Sequence, residues 1–474
     1  MANGDYDVAI IGSGPGGYTA AFRAAKYGLK TALIEKDNKF GGTCLHVGCI
    51  PTKALLFQAE IYDYIQRAEE FGIKVTGAKL DWPRMLERKR AVVKKHAQGL
   101  AALMKKNKID TFTGFGRLAP PTAGLAGPGA IKVEAEKGKK QEVKAKNIIL
   151  ATGSAARLLP GLKEDGKQIL TNDSVMELPR LPKSMIVIGA GAVGVEFASI
   201  YKTFGTDVTI LEMLPRAVPN EDEEISAELE KQFKRRGIRV ETGARFESAK
   251  KSPNGISVTY RKNGKKQEMS AETLLVAVGR RPLTEGIGLE KTQAKVEGGY
   301  IHTNEWMETA EPGLHAIGDI VAGMPWLAHA AAWQGLAAVG KIAGKPVQPV
   351  RRDRIPMVTF SEPQIGSVGL TEAQAKEKGY KVKVGKFPFL ANSKASIVGA
   401  HGGFIKIVAE EMYGEILGVH IIGPQATEVL AEATAALQLE ATVDDLMAIV
   451  HAHPTLWEAM ADAAHAVRGL TINI

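Results

Sequence analysis

A chain of 474 residues, 45% hydrophobic and 24% charged, is too apolar for a disordered segment and long enough for three or four domains, each with its own core. Its two cysteines exclude a fold stapled by many disulfides, and no apolar run reaches the roughly 20 residues a membrane-spanning helix needs. The net charge of +9 suits an acidic partner, but basic pairs such as Lys94-Lys95, Lys105-Lys106 and Arg351-Arg352 carry no interleaved aromatics, which argues against nucleic acid. The stretch from Met1 to Asp7 has no basic and then apolar leader, so a cytoplasmic protein is expected.

The first predicted strand is Asp7–Ile11, followed by Gly12-Ser13-Gly14-Pro15-Gly16-Gly17, an amphipathic helix over Tyr18–Tyr27 and a second strand over Thr31–Glu35. Gly12, Gly14 and Gly17 permit a tight turn and let a pyrophosphate approach a helix N-terminus. Glu35 closes the unit where a ribose hydroxyl is held. A glycine pattern of this kind is weak alone; between strand and helix, with the acid in place, it is a dinucleotide site.

Both cysteines follow at once, in Gly41-Gly42-Thr43-Cys44-Leu45-His46-Val47-Gly48-Cys49-Ile50-Pro51-Thr52-Lys53. In an undistorted helix, Cα atoms five positions apart lie about 8–9 Å from each other. A disulfide spans only about 4.4–6.8 Å. A bond between Cys44 and Cys49 therefore needs a break in the helix, which Gly48 and Pro51 favour. On these residues alone two readings stand: a labile, redox-active pair in a small loop, or two buried reduced thiols.

Pro120-Pro121-Thr122-Ala123-Gly124 and Gly127-Pro128-Gly129, with Val133-Glu134-Ala135 beyond, predict a small β-excursion inside the first domain. A mainly apolar strand over Asn147–Thr152 then ends in Gly153-Ser154.

The first device then recurs. Gly12, Gly14, Gly17 and Glu35 map onto Gly189, Gly191, Gly194 and Glu212 by one offset of 177 positions, so the chain is expected to bind two nucleotides. Glu35 and Glu212 would both repel a 2′-phosphate, which favours NAD over NADP, with Arg216 nearby as the single opposing signal. A nicotinamide exchanges hydride most naturally with a flavin, so one NAD and one FAD are expected. Leu274–Val278 ends in Gly279-Arg280-Arg281-Pro282, a second return through a glycine turn to match Gly153.

Farther on, a short strand runs into Gly318-Asp319, where an aspartate either accepts hydrogen bonds from a polyol or caps a helix. The alanine-rich run Leu327–Ile342 is a predicted helix whose start, Trp326-Leu327-Ala328-His329, is placed against the flavin. From Arg351 the pattern changes to strands over Met357–Phe360, Phe404–Val408 and Ile416–Ile422, then helices from Thr427, which is an α+β domain. Near the end, His451-Ala452-His453-Pro454-Thr455-Leu456-Trp457-Glu458 offers two histidines and an acid. No third ligand completes a metal site, so no metal is expected. If Pro454 opens a helix, Glu458 stands ready to orient His453 as a general acid–base; a structural histidine is the other reading.

Taken together, the cysteine motif, the two glycine units, Gly318-Asp319 and His453-Pro454-Thr455 with Glu458 resemble, in order and across nearly the whole chain, the FAD- and NAD-dependent pyridine nucleotide–disulfide oxidoreductases. The run Cys49-Ile-Pro-Thr-Lys-Ala-Leu-Leu56 and the histidine segment are most similar to the branch that oxidises dihydrolipoyl groups; His46 replaces the asparagine commonest there. The resemblance implies an α/β fold: two Rossmann-like dinucleotide-binding domains plus an α+β C-terminal dimerisation domain. It implies FAD binding by 1–152, NAD binding by 153–281, a central domain over 282–350 that completes the FAD site, and an interface domain over 351–474 in a homodimer.

By the same resemblance, Cys44 would exchange with the substrate and Cys49 would lie next to the flavin. Lys53 would pair with Glu196 near the ring, and His453 would be the base with Glu458 its orienter. Flavin contacts would come from Gly12, Gly14, Gly17, Glu35, Lys36, Gly42, Thr43, Lys53, Gly116, Thr152, Gly153, Ser154, Gly318, Asp319 and Trp326, Leu327, Ala328 and His329. Nicotinamide nucleotide contacts would come from Gly189, Gly191, Gly194, Glu196, Glu212, Val240 and Gly279. The lipoyl group would arrive on another protein, an acyltransferase or carrier of a 2-oxoacid dehydrogenase or glycine cleavage complex. A glutathione reductase is the nearest rival, opposed by Glu212, and a mercuric reductase lacks its second cysteine pair here. A scaffold subunit without chemistry is the rival of another kind.

Overall fold

The computed structural model describes residues 6–119, 129–135, 138 and 140–473. They form two compact units, Met1–Ala54 with Leu86–Ala156 and Arg280–Arg352, and Leu55–Met85 with Arg157–Gly279 and Asp353–Ile474. Most of the expected β-excursion, residues 120–128, lies outside the described residues; Ala130–Glu134 beyond it is a strand.

The first unit is built on a parallel sheet in the order Asp110–Thr113, Thr31–Glu35, Tyr6–Ile11, Lys140–Leu150, with Leu314–Ala316 also parallel to Lys140–Leu150. Val8, Ala9 and Ile10 are fully buried, as the continuous apolar run of a parallel strand covered on both faces requires. The start of Lys140–Leu150 extends the sheet antiparallel through Ala130–Glu134 to Phe115–Leu118. Helix Pro15–Lys26 turns Ala20, Ala21 and Ala24 inward. Helix Ala328–Ile342 comes so close to it that a Cβ on Gly335 would stand 2.7 Å from the Gly16 carbonyl oxygen. Small residues on both helices bring the start of the second one close to the glycine turn.

The second unit repeats the plan with a five-stranded parallel sheet, Arg239–Glu241, Asp207–Leu211, Ser184–Ile188, Thr273–Val276, Ile169–Leu170. Helix Ala192–Thr203 follows the second glycine turn. Its C-terminal part is an antiparallel sheet in the order Met357–Thr359, Gln364–Gly369, Ile416–Gly423, Phe404–Glu410, Val382–Pro388. Helices Ala426–Gln438 and Glu458–Val467 cover it, with Val429, Leu430, Ala459, Met460 and Ala463 in the shared core.

The condition set on Pro454 is not met. Pro454 opens no helix; the last helix begins at Glu458, four residues later, and the Glu458 carboxylate reaches back to accept the Thr455 N–H at 2.8 Å. Among the described residues no helix is long and apolar enough to cross a membrane.

Candidate active site

The two glycine turns are closed by the same kind of backbone contact. A Cβ on Gly12 would meet the Ala151 carbonyl oxygen at 2.2 Å, and one on Gly189 the Ala277 oxygen at 2.5 Å. On Gly17 or Gly194 it would stand 1.9 Å from the oxygen of Gly12 or Gly189, respectively. Gly14 and Gly191, by contrast, have nothing among the described residues within 4 Å of that position, so the turn is closed on one side and open where a phosphate would approach the helix. Glu35 accepts the Ser13 N–H at 2.9 Å and the Asp37 N–H at 3.0 Å. Glu212 accepts the Ala190 N–H at 2.6 Å and the Leu214 N–H at 2.8 Å, the same partners at the same offset. Each carboxylate keeps acceptor sites for ribose hydroxyls. Arg216 is engaged by the Pro219 oxygen at 2.9 Å and Glu223 at 3.2 Å, which weakens the signal that opposed NAD.

The cysteine segment leaves the end of Thr31–Glu35 and folds as helix Gly42–Val47, a break at Gly48 and helix Cys49–Gln66. Gly48 has φ −133° and ψ −113°, and a Cβ there would stand 3.0 Å from the Thr43 oxygen and 3.3 Å from the Cys44 Cα. That break brings the two sulfurs together. Both cysteines are thiols in this structure. The Cys44 thiol is pushed upward by its hydrogen bond to Cys49, then by burial and by the charge Cys49 would carry; the Cys49 N–H and Lys53 act the other way. Cys49 opens an 18-residue helix, whose N-terminus favours a thiolate, so Cys49 ionises first and Cys44 keeps its proton. His46, placed between them in sequence, is instead turned to the Phe40 carbonyl oxygen at 2.8 Å and anchors the segment.

Around this pair the first unit assembles most of the residues expected to hold a flavin. Gly42, at φ +58°, packs so tightly that a Cβ would stand 2.8 Å from the Gly14 Cα. Gly116 lies against Ile34 and Ile11. Lys36 is exposed beside Glu35. Thr152 donates to the Leu283 oxygen at 2.7 Å, and the two glycine returns pair directly, Ser154–Ala156 antiparallel to Arg280–Pro282. Gly153 and Gly279 both lie at positive φ, +70° and +101°, where each chain reversal needs glycine. The Ser154 hydroxyl donates to Asp319 at 2.5 Å, in the turn after Leu314–Ala316. Leu327, Ala328 and His329 start helix Ala328–Ile342, and Trp326 stacks on Tyr300 with centroids 6.0 Å apart.

In the second unit Glu196, buried in helix Ala192–Thr203, accepts the Phe360 N–H at 2.9 Å, and Val240 pairs with Ile210 at the sheet edge. His453 Nδ1 lies 2.8 Å from Glu458 Oε1. A carboxylate only accepts, so Nδ1 carries the hydrogen and Nε2 is free to take a proton. Burial pushes Glu458 up, but the Thr455 N–H, His453 and the charge of His451 outweigh it and hold the carboxyl below its ordinary range. His451 itself is turned away, to Glu432 at 2.9 Å.

A family model described as pyridine nucleotide-disulphide oxidoreductase matches residues 6–335, and that family's dimerisation domain matches residues 355–464. The chain belongs to the pyridine nucleotide-disulphide oxidoreductases. It is similar to the dihydrolipoyl dehydrogenase of Bacillus subtilis (strain 168), 45% identical over 472 residues with 99% of both chains covered. It is also similar to that of Mycobacterium tuberculosis (strain H37Rv), 42% identical with 99% of each covered. Its fold matches the crystal structure of LpdA from Mycobacterium tuberculosis with a TM-score of 0.90 at 28% identity, covering 98% of this chain and 100% of that one.

Within this oxidoreductase the sequence reading missed three residues. Arg280 donates to the Ser154 hydroxyl at 2.7 Å and the Ser154 oxygen at 2.8 Å and reaches Thr43 at 3.5 Å, so one guanidinium joins the glycine return, the Asp319 partner and the cysteine segment. The Gly279-Arg280 pattern was visible, but its reach was not. Gln334, fully buried, accepts the Gly318 N–H at 2.6 Å and fixes the Gly-Asp turn; nothing in the sequence marks it. The Tyr18 phenol is pushed up by burial and by the charges Cys44 and Cys49 would carry, which places it beside the pair.

Proposed function

We propose that this oxidoreductase is a dihydrolipoyl dehydrogenase: it oxidises dihydrolipoyl groups on another protein through Cys44 and Cys49, and reduces NAD⁺ to NADH. The single observation that carries the reading is the cysteine pair. Its two thiols are hydrogen-bonded across the Gly48 break, with Cys49 at a helix N-terminus and in the same unit as the open glycine turn and Asp319. Full-length likeness to proteins named dihydrolipoyl dehydrogenase supports it.

The residues present fit FAD in the first unit: an open Gly14 for the pyrophosphate, Glu35 for the ribose and Asp319 for the ribityl chain. Gly191 and Glu212 fit NAD in the second. When bound, FAD supplies a two-electron acceptor for the dithiol and NAD⁺ a hydride acceptor. The chain's own residues do the rest. His453, held by Glu458, takes a proton from a substrate thiol, because the thiolate is the nucleophile. That thiolate attacks the Cys44 sulfur of the oxidised pair, breaking the Cys44–Cys49 bond and leaving Cys49 as thiolate at the helix N-terminus. The second substrate thiol then displaces Cys44, releasing oxidised lipoyl.

The His453 side chain is 70% exposed in the single chain, which suits its delivery into the site of a second copy in a homodimer. Lys53 of the first unit and Glu196 of the second are the charged residues that would serve the bound flavin. FAD, NAD, central and interface domains over 1–152, 153–281, 282–350 and 351–474 complete the reading. Substrate arrives on the lipoyl arm of a 2-oxoacid dehydrogenase acyltransferase or a glycine cleavage carrier protein, in the cytoplasm, where NAD⁺ is the acceptor.

A substrate panel tests this: dihydrolipoamide with NAD⁺ is expected to turn over at least about tenfold faster than with NADP⁺, a discrimination worth about 1.4 kcal/mol. Preference for glutathione and NADP⁺ would overturn it. His453→Ala is expected to lower turnover by about 10²–10⁴-fold, the usual share of a general base, while bound flavin measured by absorbance stays at wild-type level.

A further inference from the structure

Between Glu212 and helix Glu223–Arg235 the chain crosses a segment with no part in the steps above. From Ala190, in the middle of the second glycine turn, an unbroken run of hydrogen bonds leads along it. The Ala190 N–H donates to Glu212 at 2.6 Å, and its carbonyl accepts the Val218 N–H at 2.8 Å. The Val218 carbonyl accepts the Glu221 N–H at 2.9 Å, and the Glu221 carboxyl accepts the Ser367 hydroxyl at 2.7 Å. Ser367 lies on strand Gln364–Gly369 of the C-terminal sheet. Val218 is β-branched yet held at φ +40°, a strained conformation that persists only where its surroundings impose it.

The far end of the run is anchored in charge. Lys406, 2% exposed on strand Phe404–Glu410, reaches Asp222 at 3.0 Å, Glu224 at 2.8 Å and Glu372 at 2.8 Å. His420, on strand Ile416–Gly423, donates to the Leu370 carbonyl at 3.0 Å and is pushed down by burial, so it stays neutral. Glu221 is 6% exposed and outside the lysine's reach of three carboxylates; its partners are Ser367 and the neighbouring charge of Asp222. Burial pushes its carboxyl up, against the pull of Ser367 and helped by Asp222, to about 7.

We propose that Glu221 is a positioning residue for the nicotinamide nucleotide, tying the second glycine turn to Ser367 so that nucleotide binding depends on whether its carboxyl carries a proton. This rests on the NAD reading of the second unit. Protonated Glu221 is neutral and fits a buried site. Losing the proton sets a second negative charge beside Asp222 in a low-dielectric surrounding, and the segment relieves it by loosening. The loosened segment no longer fixes Ala190 and, through it, Glu212. A nucleotide that selects the fixed turn must by linkage bind the protonated form more tightly.

NADH binding to the FAD-loaded full chain, followed by fluorescence at pH 6 and pH 8, tests this. The wild-type Kd is expected to rise about threefold or more over that interval, the linkage response to a group titrating near its middle. Glu221→Gln, neutral at both values, is expected to show a response within about twofold, as no proton is then exchanged. Ser367→Ala is the second variant, expected to bind NADH more weakly than wild type at pH 6 because the tie is cut. A pH response that Glu221→Gln keeps undiminished, or Ser367→Ala binding indistinguishable from wild type, overturns the proposal alone. A wild-type chain that binds NADH at neither pH overturns the nucleotide reading, and this proposal with it.

Discussion

Cys44→Ser and Cys49→Ser are each expected to lower NAD⁺ reduction by dihydrolipoamide by about three orders of magnitude or more, the scale on which losing a nucleophile acts. Flavin content should be unaffected. A serine hydroxyl keeps the size of the site but forms no bond to sulfur that can be exchanged, so the substrate thiolate has nothing to displace. The two variants should differ in one respect. With Cys44 gone, Cys49 still opens helix Cys49–Gln66, whose N-terminus favours its thiolate. With Cys49 gone, Cys44 loses the hydrogen bond that raises it and becomes the more ordinary thiol of the two. Iodoacetamide labelling at neutral pH should therefore be faster at Cys49 in Cys44→Ser than at Cys44 in Cys49→Ser. Equal activity in either variant and wild type would remove the pair from the chemistry.

Gly17→Ala is expected to abolish flavin binding. Its Cβ would stand 1.9 Å from the Gly12 oxygen and 2.9 Å from the Gly12 carbon. Gly12 cannot yield, because its N–H is held by the Ile34 oxygen at 2.8 Å and the adjoining Ile11 oxygen takes the Ala151 N–H at 2.8 Å. Forcing a methyl into such a contact costs about 3 kcal/mol or more, and the turn that cradles the pyrophosphate opens. Gly14→Ala is the control. It meets nothing within 4 Å and sits at φ −65°, so the chain should keep its thermal unfolding midpoint while flavin affinity falls. At the second site, Gly194→Ala should lose NADH binding with flavin retained. Full flavin occupancy in Gly17→Ala would contradict the packing argument.

How much of this was legible in the sequence depended on distance along the chain. The glycine turns, their acids and the offset of 177 are local patterns, and the matching Glu35 and Glu212 hydrogen bonds follow from them. The need for a break between the cysteines was legible too, since helix geometry forbids their contact otherwise, and Gly48 supplies it. What stayed hidden acts through space. Arg280 reaches Thr43, Gln334 holds Gly318, and Glu221 meets Ser367, with nothing in the intervening sequence to announce any of them. The antiparallel strands Arg245–Ser252, Gly255–Lys262 and Lys265–Ala271 also escaped notice: two of the three are largely exposed and rich in lysine and glutamate, so they show little apolar alternation. His46 lies between the cysteines in sequence, but nothing there announces that its ring turns to the Phe40 carbonyl.

The most direct measurement mixes the oxidised, FAD-loaded chain anaerobically with dihydrolipoamide, without NAD⁺, and follows the absorption spectrum. The account predicts a new long-wavelength band from the Cys49 thiolate against the flavin, formed within one turnover time and absent in Cys49→Ser. A spectrum unchanged by the dithiol, or the same band in Cys49→Ser, would contradict it.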